Sequence, residues 1–222
     1  MRIIAGEWRS RRLERPRTVH TRPMPQRMRE AIFDILGSHY ATPGTLPPIR
    51  VADFFAGSGS LGLEAVSRGA AACDAIDNRL PALEALRENV RALGAADRVR
   101  VWRANAWTCC LTQPAPQQRY GLVFLDPPFR DARDTSPTGR VPRLLADLER
   151  ARWLDGEAIV VMHHEDSVAY AAGPTGWWMV GDRRTYGTGA VTIVQRRPSA
   201  PCDAAPPPVA PASDEDAPRE AS

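Results

Sequence analysis

The sequence predicts an α/β fold: a doubly wound, mostly parallel sheet closed by a C-terminal antiparallel hairpin and preceded by a basic N-terminal extension. Three observations predict it. From Arg50 onward, short apolar runs alternate with amphipathic helical stretches, the pattern of a parallel sheet with crossover helices. A glycine-rich turn, Asp53-Phe54-Phe55-Ala56-Gly57-Ser58-Gly59-Ser60-Leu61-Gly62, joins the first of those runs to a helix. Residues 1–29 carry nine Arg against two Glu, whereas residues 30–196 carry 18 Arg against 19 acids, so the positive excess sits in one N-terminal arm.

Taken in order, Gln26–Leu36 reads as a helix with Met28, Ile32, Ile35 and Leu36 on one face. Ala41–Pro48 is a Pro/Gly/Thr linker. Arg50–Phe55, Ala72–Ile76, Val99–Arg103, Leu122–Leu125 and Ala158–Met162 read as strands. Leu61–Arg68, Leu80–Leu93 (stopped at Gly94) and Val141–Arg150 read as the helices between them. Trp177–Arg184 and Ala190–Arg196 form the closing hairpin around Tyr186-Gly187-Thr188-Gly189. Pro198–Ser222 is rich in Pro, Ala and acids, cannot offset its ordering entropy, and is expected to be disordered. The organisation expected is therefore a basic arm and helix over 1–40, an α/β domain over 49–197, and a tail over 198–222.

A chain of 222 residues with 43% hydrophobic content suits one core of ordinary size. No apolar run reaches the ~18 residues that would span a bilayer, and the N-terminus lacks the apolar stretch of a signal peptide. A soluble, cytoplasmic monomer without a membrane partner is the expectation. The cysteines, Cys73, Cys109, Cys110 and Cys202, form no CxxC pair and have no His at ligand spacing, so no metal site is expected. The basic arm reads either as a solvated surface or as a grip on phosphates.

Three motifs fall at the carboxyl ends of predicted strands, where doubly wound sheets bind ligands. Gly57, Gly59 and Gly62 satisfy the GxGxxG dinucleotide spacing, a weak signal alone. Asp53, four residues before the first glycine, favours a cofactor with a cationic amino-acid end over a pyrophosphate. Asp77, followed by Asn78, can accept both hydroxyls of a ribose or can cap the next helix. Asp126-Pro127-Pro128-Phe129 is the most specific of the three. Two prolines force a rigid, extended exit from the strand. Asp126 and the Pro127 carbonyl then offer two acceptors to an amino group, and Phe129 a ring to stack on a base. Asn105-Ala106 has two open readings: Asn105 bonds a cofactor's adenine edge, or it caps a short helix from Trp107.

The chain resembles the RsmD family of bacterial 16S rRNA (guanine-N2)-methyltransferases. The matching blocks are Met1–Arg9, Thr21-Arg22-Pro23 with Gln26–Phe33, Phe54–Ser67 and Leu125–Phe129. The resemblance implies a Rossmann-like class I S-adenosylmethionine-dependent methyltransferase acting on the small ribosomal subunit, with guanine 966 of 16S rRNA as the family target. It would set Asp53, Phe55, Ala56, Gly57 and Gly59 at the methionine end of the cofactor. Asp77 and Asn78 would lie at the ribose, and Asn105 and Ala106 near adenine. Asp126, Pro127, Pro128 and Phe129 would be the catalytic motif. Arg9, Arg11, Arg12, Arg22, Arg27 and Arg29 are the expected grips on rRNA phosphates. Family members usually carry Glu where this chain has Asp77, and often Thr in the stretch Met24-Pro25. The segment 131–140 and the acidic tail are peculiar to this chain. The competing readings are a DNA adenine-N6 methyltransferase, which usually needs a recognition domain that this chain has no room for, and a nicotinamide-dependent oxidoreductase, which leaves Asp126–Phe129 without a role.

Overall fold

The computed structural model describes residues 1–16, 24–109, 116–170 and 178–196. Its strands are β1 (Arg50–Phe54), β2 (Ala72–Asp77), β3 (Val99–Arg103), β4 (Tyr120–Leu125), β5 (Leu154–Glu165), β6 (Trp178–Tyr186) and β7 (Gly189–Arg196). The helices are α1 (Gln26–His39), α2 (Gly62–Ser67), α3 (Leu80–Ala92), α4 (Phe129–Ala132) and α5 (Arg140–Arg150). The strands form one sheet in the order β3-β2-β1-β4-β5-β7-β6. The first five pair in parallel, and β7 runs antiparallel to both β5 and β6. The chain builds outward from β1 to β3 and then returns to lay β4 on the other side of β1. The crevice at that reversal is where such sheets bind ligands.

The expected elements are present, with differences at their ends. β5 runs from Leu154 to Glu165, longer than its apolar centre, because Leu154 pairs with Tyr120 of β4 ahead of a register shift, and His163, His164 and Glu165 still find ladder partners on β7. Where one of the two readings of Asn105 set a short helix from Trp107, residues 106–108 form a turn. Asn105 accepts the Trp107 amide at 3.1 Å, and the Thr108 amide reaches the Asn105 carbonyl at 3.0 Å. Segment 131–140 begins inside α4 and ends at the first residue of α5. Arg22, the first residue of the expected hairpin and the tail lie outside the described residues.

Two apolar clusters pack on the two faces of the sheet. Val141, Leu144, Leu145 and Leu148 of α5 cover one. On the other lie α1, α2 and α3 together with Ile3, Trp8 and Leu13, so the N-terminal arm is part of the core and not a free extension. Glu64 of α2 is fully buried, accepts the Ile4 and Ala5 amides at 2.7 and 3.0 Å, and is paired with Arg68 at 2.8 Å. Trp8 donates its amide to the Ser67 hydroxyl at 3.0 Å. Gly6 has φ +81°, and a Cβ there would overlap the Ser67 carbonyl, which explains glycine in the arm. The side chain of Asn89 on α3 accepts the Glu14 amide at 2.7 Å and donates to the Glu14 and Ser58 carbonyls at 3.1 and 2.9 Å. One side chain thus ties the arm to the glycine turn.

Arg29 overturns one expectation. It lies four residues before Phe33 on the apolar face of α1, is 1% exposed, and donates to the Arg2 carbonyl at 3.1 Å. It cannot reach a phosphate on the surface. Arg9, Arg11, Arg12 and Arg27 are exposed, and Arg11 donates to the Ala92 carbonyl at 2.7 Å.

Candidate active site

The turn after β1 owes its shape to three unusual backbone angles, with φ positive at Phe55, Gly57 and Gly59. A Cβ on Gly59 would collide with Leu86, so α3 packs directly against the turn. Ala56 donates its amide to the Ile76 carbonyl at 2.9 Å, locking the turn to β2. Asp53 is 1% exposed and accepts the Gly62 amide at 2.9 Å, so its carboxylate braces the turn from beneath.

Asp77 closes β2 at 3% exposure. One of its oxygens accepts the Gly57 amide at 2.9 Å, and the other accepts the Arg79 amide at 2.9 Å. The residue capping α3 is Arg79, without a side-chain cap bond, so Asp77 braces the entry to the helix instead of capping it. The Arg79 guanidinium lies at 3.4 Å from both Asp77 oxygens, which is long for a charge-assisted bond. A carboxylate offers about four acceptor positions, and the backbone takes two. The others face the partly exposed Arg79 side chain. Asn78 is exposed beside it. Asn105 is exposed beyond β3, while Ala106 is buried in the core at 3% exposure and leaves only its backbone for a ligand. Phe55 packs on Trp107 at 4.6 Å between ring centroids, and the Arg140 guanidinium lies 5.7 Å from the Trp107 ring.

Asp126 leaves the end of β4 next to the turn. Its side chain is 33% exposed, Pro127 is buried, and Phe129 opens α4. Residue His163, which sequence reasoning did not single out, completes the site. Its Nδ1 lies 2.7 Å from Asp126 Oδ1, and its ring meets the Phe129 ring edge-on at 5.0 Å. The two residues are 37 positions apart. They meet because β4 and β5 pair in parallel with Leu125 opposite Met162, which sets the next residue of each strand side by side. A histidine directly after an apolar strand core was the available signal.

The acidic residues of the three motifs sense one another electrostatically. Burial pushes the Asp53 carboxyl up to about 7, and the Gly62 amide partly offsets this. The charges of Asp126 and then Asp77 push it further up. Added negative charge near Asp53 is therefore unfavourable, and a nearby cation would relieve it.

The family model described as conserved hypothetical protein 95 matches residues 1–195. Ribosomal RNA small subunit methyltransferase D of Escherichia coli (strain K12) is 31% identical over 204 residues, covering 92% of this chain and 94% of that protein. The chain belongs to the RsmD family. A second relative of that name, from Haemophilus influenzae, is 28% identical over 83% of this chain and 89% of its own length. Among solved structures, Escherichia coli yhhF is similar at 31% identity with a TM-score of 0.73, covering 89% of this chain and 98% of that one. The fold is the class I methyltransferase fold. A Salinibacter ruber RNA methyltransferase solved with S-adenosyl-L-homocysteine shares it at 14% identity, with a TM-score of 0.55, 81% of this chain and 97% of that one covered. That likeness concerns the fold alone. Among the described residues, no helix is long and apolar enough to cross a membrane.

Proposed function

We propose that this chain methylates the exocyclic N2 amine of guanine 966 in 16S rRNA of the small ribosomal subunit, using S-adenosylmethionine. The observation that supports the reading is that the glycine turn after β1, Asp77 at the end of β2 and Asp126 after β4 lie at the carboxyl ends of neighbouring parallel strands, with Asp77 bonded to the Gly57 amide. Acidic residues at these strand ends suit a cofactor bearing a sulfonium and an ammonium better than the pyrophosphate of a nicotinamide dinucleotide. Asp77 would hold the ribose, and the turn from Asp53 to Gly59 the methionine end. Bound there, the cofactor supplies an electrophilic methyl group on a cationic sulfur.

The protein's part is to prepare the nucleophile. The N2 lone pair of guanine is delocalised into the ring. Hydrogen bonds from N2 to Asp126 and to the Pro127 carbonyl favour a pyramidal nitrogen and free that pair. Holding the amine in line contributes most of the acceleration, and Asp126 takes the surplus proton. A stacked base cannot reach the crevice, so the target is flipped out or already unpaired. Phe129 offers it a stacking surface, and Arg9, Arg11, Arg12 and Arg27 would hold neighbouring phosphates. The test is single-turnover methylation of small subunits lacking the modification, with mass spectrometry of the product. N2-methylguanine is the expected product. N6-methyladenine would overturn the substrate and spare the amine chemistry.

A further inference from the structure

Asp126 is a carboxylate with two oxygens, and an amine needs only one of them to be well aimed. In this structure one is already engaged. His163 Nδ1 lies 2.7 Å from Asp126 Oδ1, within the length of a charge-assisted bond. The imidazole itself is tightly held. Its side chain is 10% exposed. The Phe129 ring stands edge-on to it at 78°. On its other side, a Cβ built on Gly189 of β7 would come within 3.0 Å of His163 Nε2 and 3.3 Å of the Met28 methyl of α1. Asp126 after β4, Phe129 at the start of α4 and Gly189 of β7 thus surround the ring that touches the proposed catalytic carboxylate.

We infer that His163 is a positioning residue for the amine methylation: its Nδ1–H donates to Asp126 Oδ1, holds that carboxylate in one rotamer, and leaves Oδ2 as the oxygen that meets the target amine. This rests on the methyltransferase reading of the site. Two acceptors separated by less than an ordinary van der Waals contact would repel, so a proton must lie between Nδ1 and Oδ1. With the donor on the histidine, Asp126 presents acceptors only, and Oδ2 can accept from the amine. During transfer, the nitrogen lone pair becomes the new N–C bond and the C–S pair returns to sulfur. The surplus proton passes from nitrogen to Asp126 Oδ2 and on to water. His163 keeps its own proton throughout, so its role is orientation and charge, in the way that an acid orients a catalytic histidine in hydrolases with the roles of the two groups exchanged. The edge contact with Phe129 links the same ring to the stacking surface, so one side chain aligns both the acceptor and the platform for the base.

The experiment has two arms. In the first, histidine-labelled protein without cofactor is studied by nitrogen NMR at about pH 8, where the two ring nitrogens of a neutral imidazole are distinguishable. Protonated Nδ1 at His163 in the native chain, lost in Asp126→Ala, is the expected result. A proton on Nε2 alone would overturn the proposal. In the second arm, His163→Leu should slow single-turnover methylation by roughly 10- to 100-fold, the scale of misaiming a reacting group, with S-adenosylmethionine affinity unchanged. His163→Asn places an amide nitrogen near the Nδ1 position and should recover most of the rate. Added to Asp126→Asn, His163→Leu should cost little more, because the two residues act as a unit. An unchanged rate in His163→Leu, equal losses in the Leu and Asn variants, or full additivity with Asp126→Asn would each overturn the proposal. If the native chain methylates no rRNA, the functional reading fails while the NMR arm still decides the histidine–carboxylate pair.

Discussion

Asp77 accepts the Gly57 amide at 2.9 Å, which joins the acid at the end of β2 to the glycine turn after β1. The same carboxylate is therefore both a proposed ribose acceptor and a brace for the turn that would cradle the methionine end. Asp77→Ala should weaken S-adenosylmethionine binding by ~1–3 kcal/mol, the usual penalty for polar groups left without partners. Calorimetry is the measurement, and unchanged affinity would remove Asp77 from the site.

Asp126→Ala should cut the methyl-transfer rate by roughly 10²–10⁴, the range for a positioned acid–base group. Its side chain touches His163 and faces the crevice, so cofactor affinity should fall far less. Single-turnover rates beside calorimetry separate the two effects. Full activity in this variant would end the proposed chemistry.

Asp53 makes a prediction about stability and pH. Its folded-state carboxyl is raised from 3.8 to about 7, first by burial. Between those values the folded chain holds a proton that the unfolded chain has released. This contribution to stability is therefore full below about pH 4 and is lost as pH rises towards about 7. Asp53→Asn keeps an acceptor for the Gly62 amide and removes the titration. Thermal melts between about pH 5 and about pH 8 should show a smaller fall in Tm for the variant than for the native chain. Parallel curves would mean that Asp53 does not titrate there.

The arm predicts a salt effect. Neutralising Arg9, Arg11, Arg12 and Arg27 together should weaken RNA binding and flatten its log–log salt dependence by about 0.7–0.9 per lost phosphate contact. Arg29→Ala should leave that slope alone and lower Tm, because the residue is buried. A slope that responds to Arg29 and not to the exposed four would reverse the assignment.

Much of this was legible in the sequence because the informative residues are local. The glycine turn, Asp77 and Asp126–Phe129 each lie within a few residues of a strand end, and short-range spacing describes them. What escaped depends on contacts between distant segments. His163 meets Asp126 through the parallel register of two strands, which no local pattern encodes. Arg29 was read by its charge, although its spacing to Phe33 and Leu36 already set it on the apolar face of α1. Ile3, Trp8 and Leu13 were hidden among arginines, and a high local charge obscured three residues that enter the core.

The buried Glu64 carboxylate has a consequence for engineering. Its partners are the Ile4 and Ala5 amides and Arg68, so the arm is not a detachable module. Deleting the first residues would strip a buried charge of two donors, a loss that is costly in a way apolar truncation is not. A chimaera that swaps the arm to redirect the enzyme to another RNA must carry the matching face of α2, with Glu64 and Ser67, along with it. Recognition and catalysis in this protein would then have to be exchanged as one inherited block.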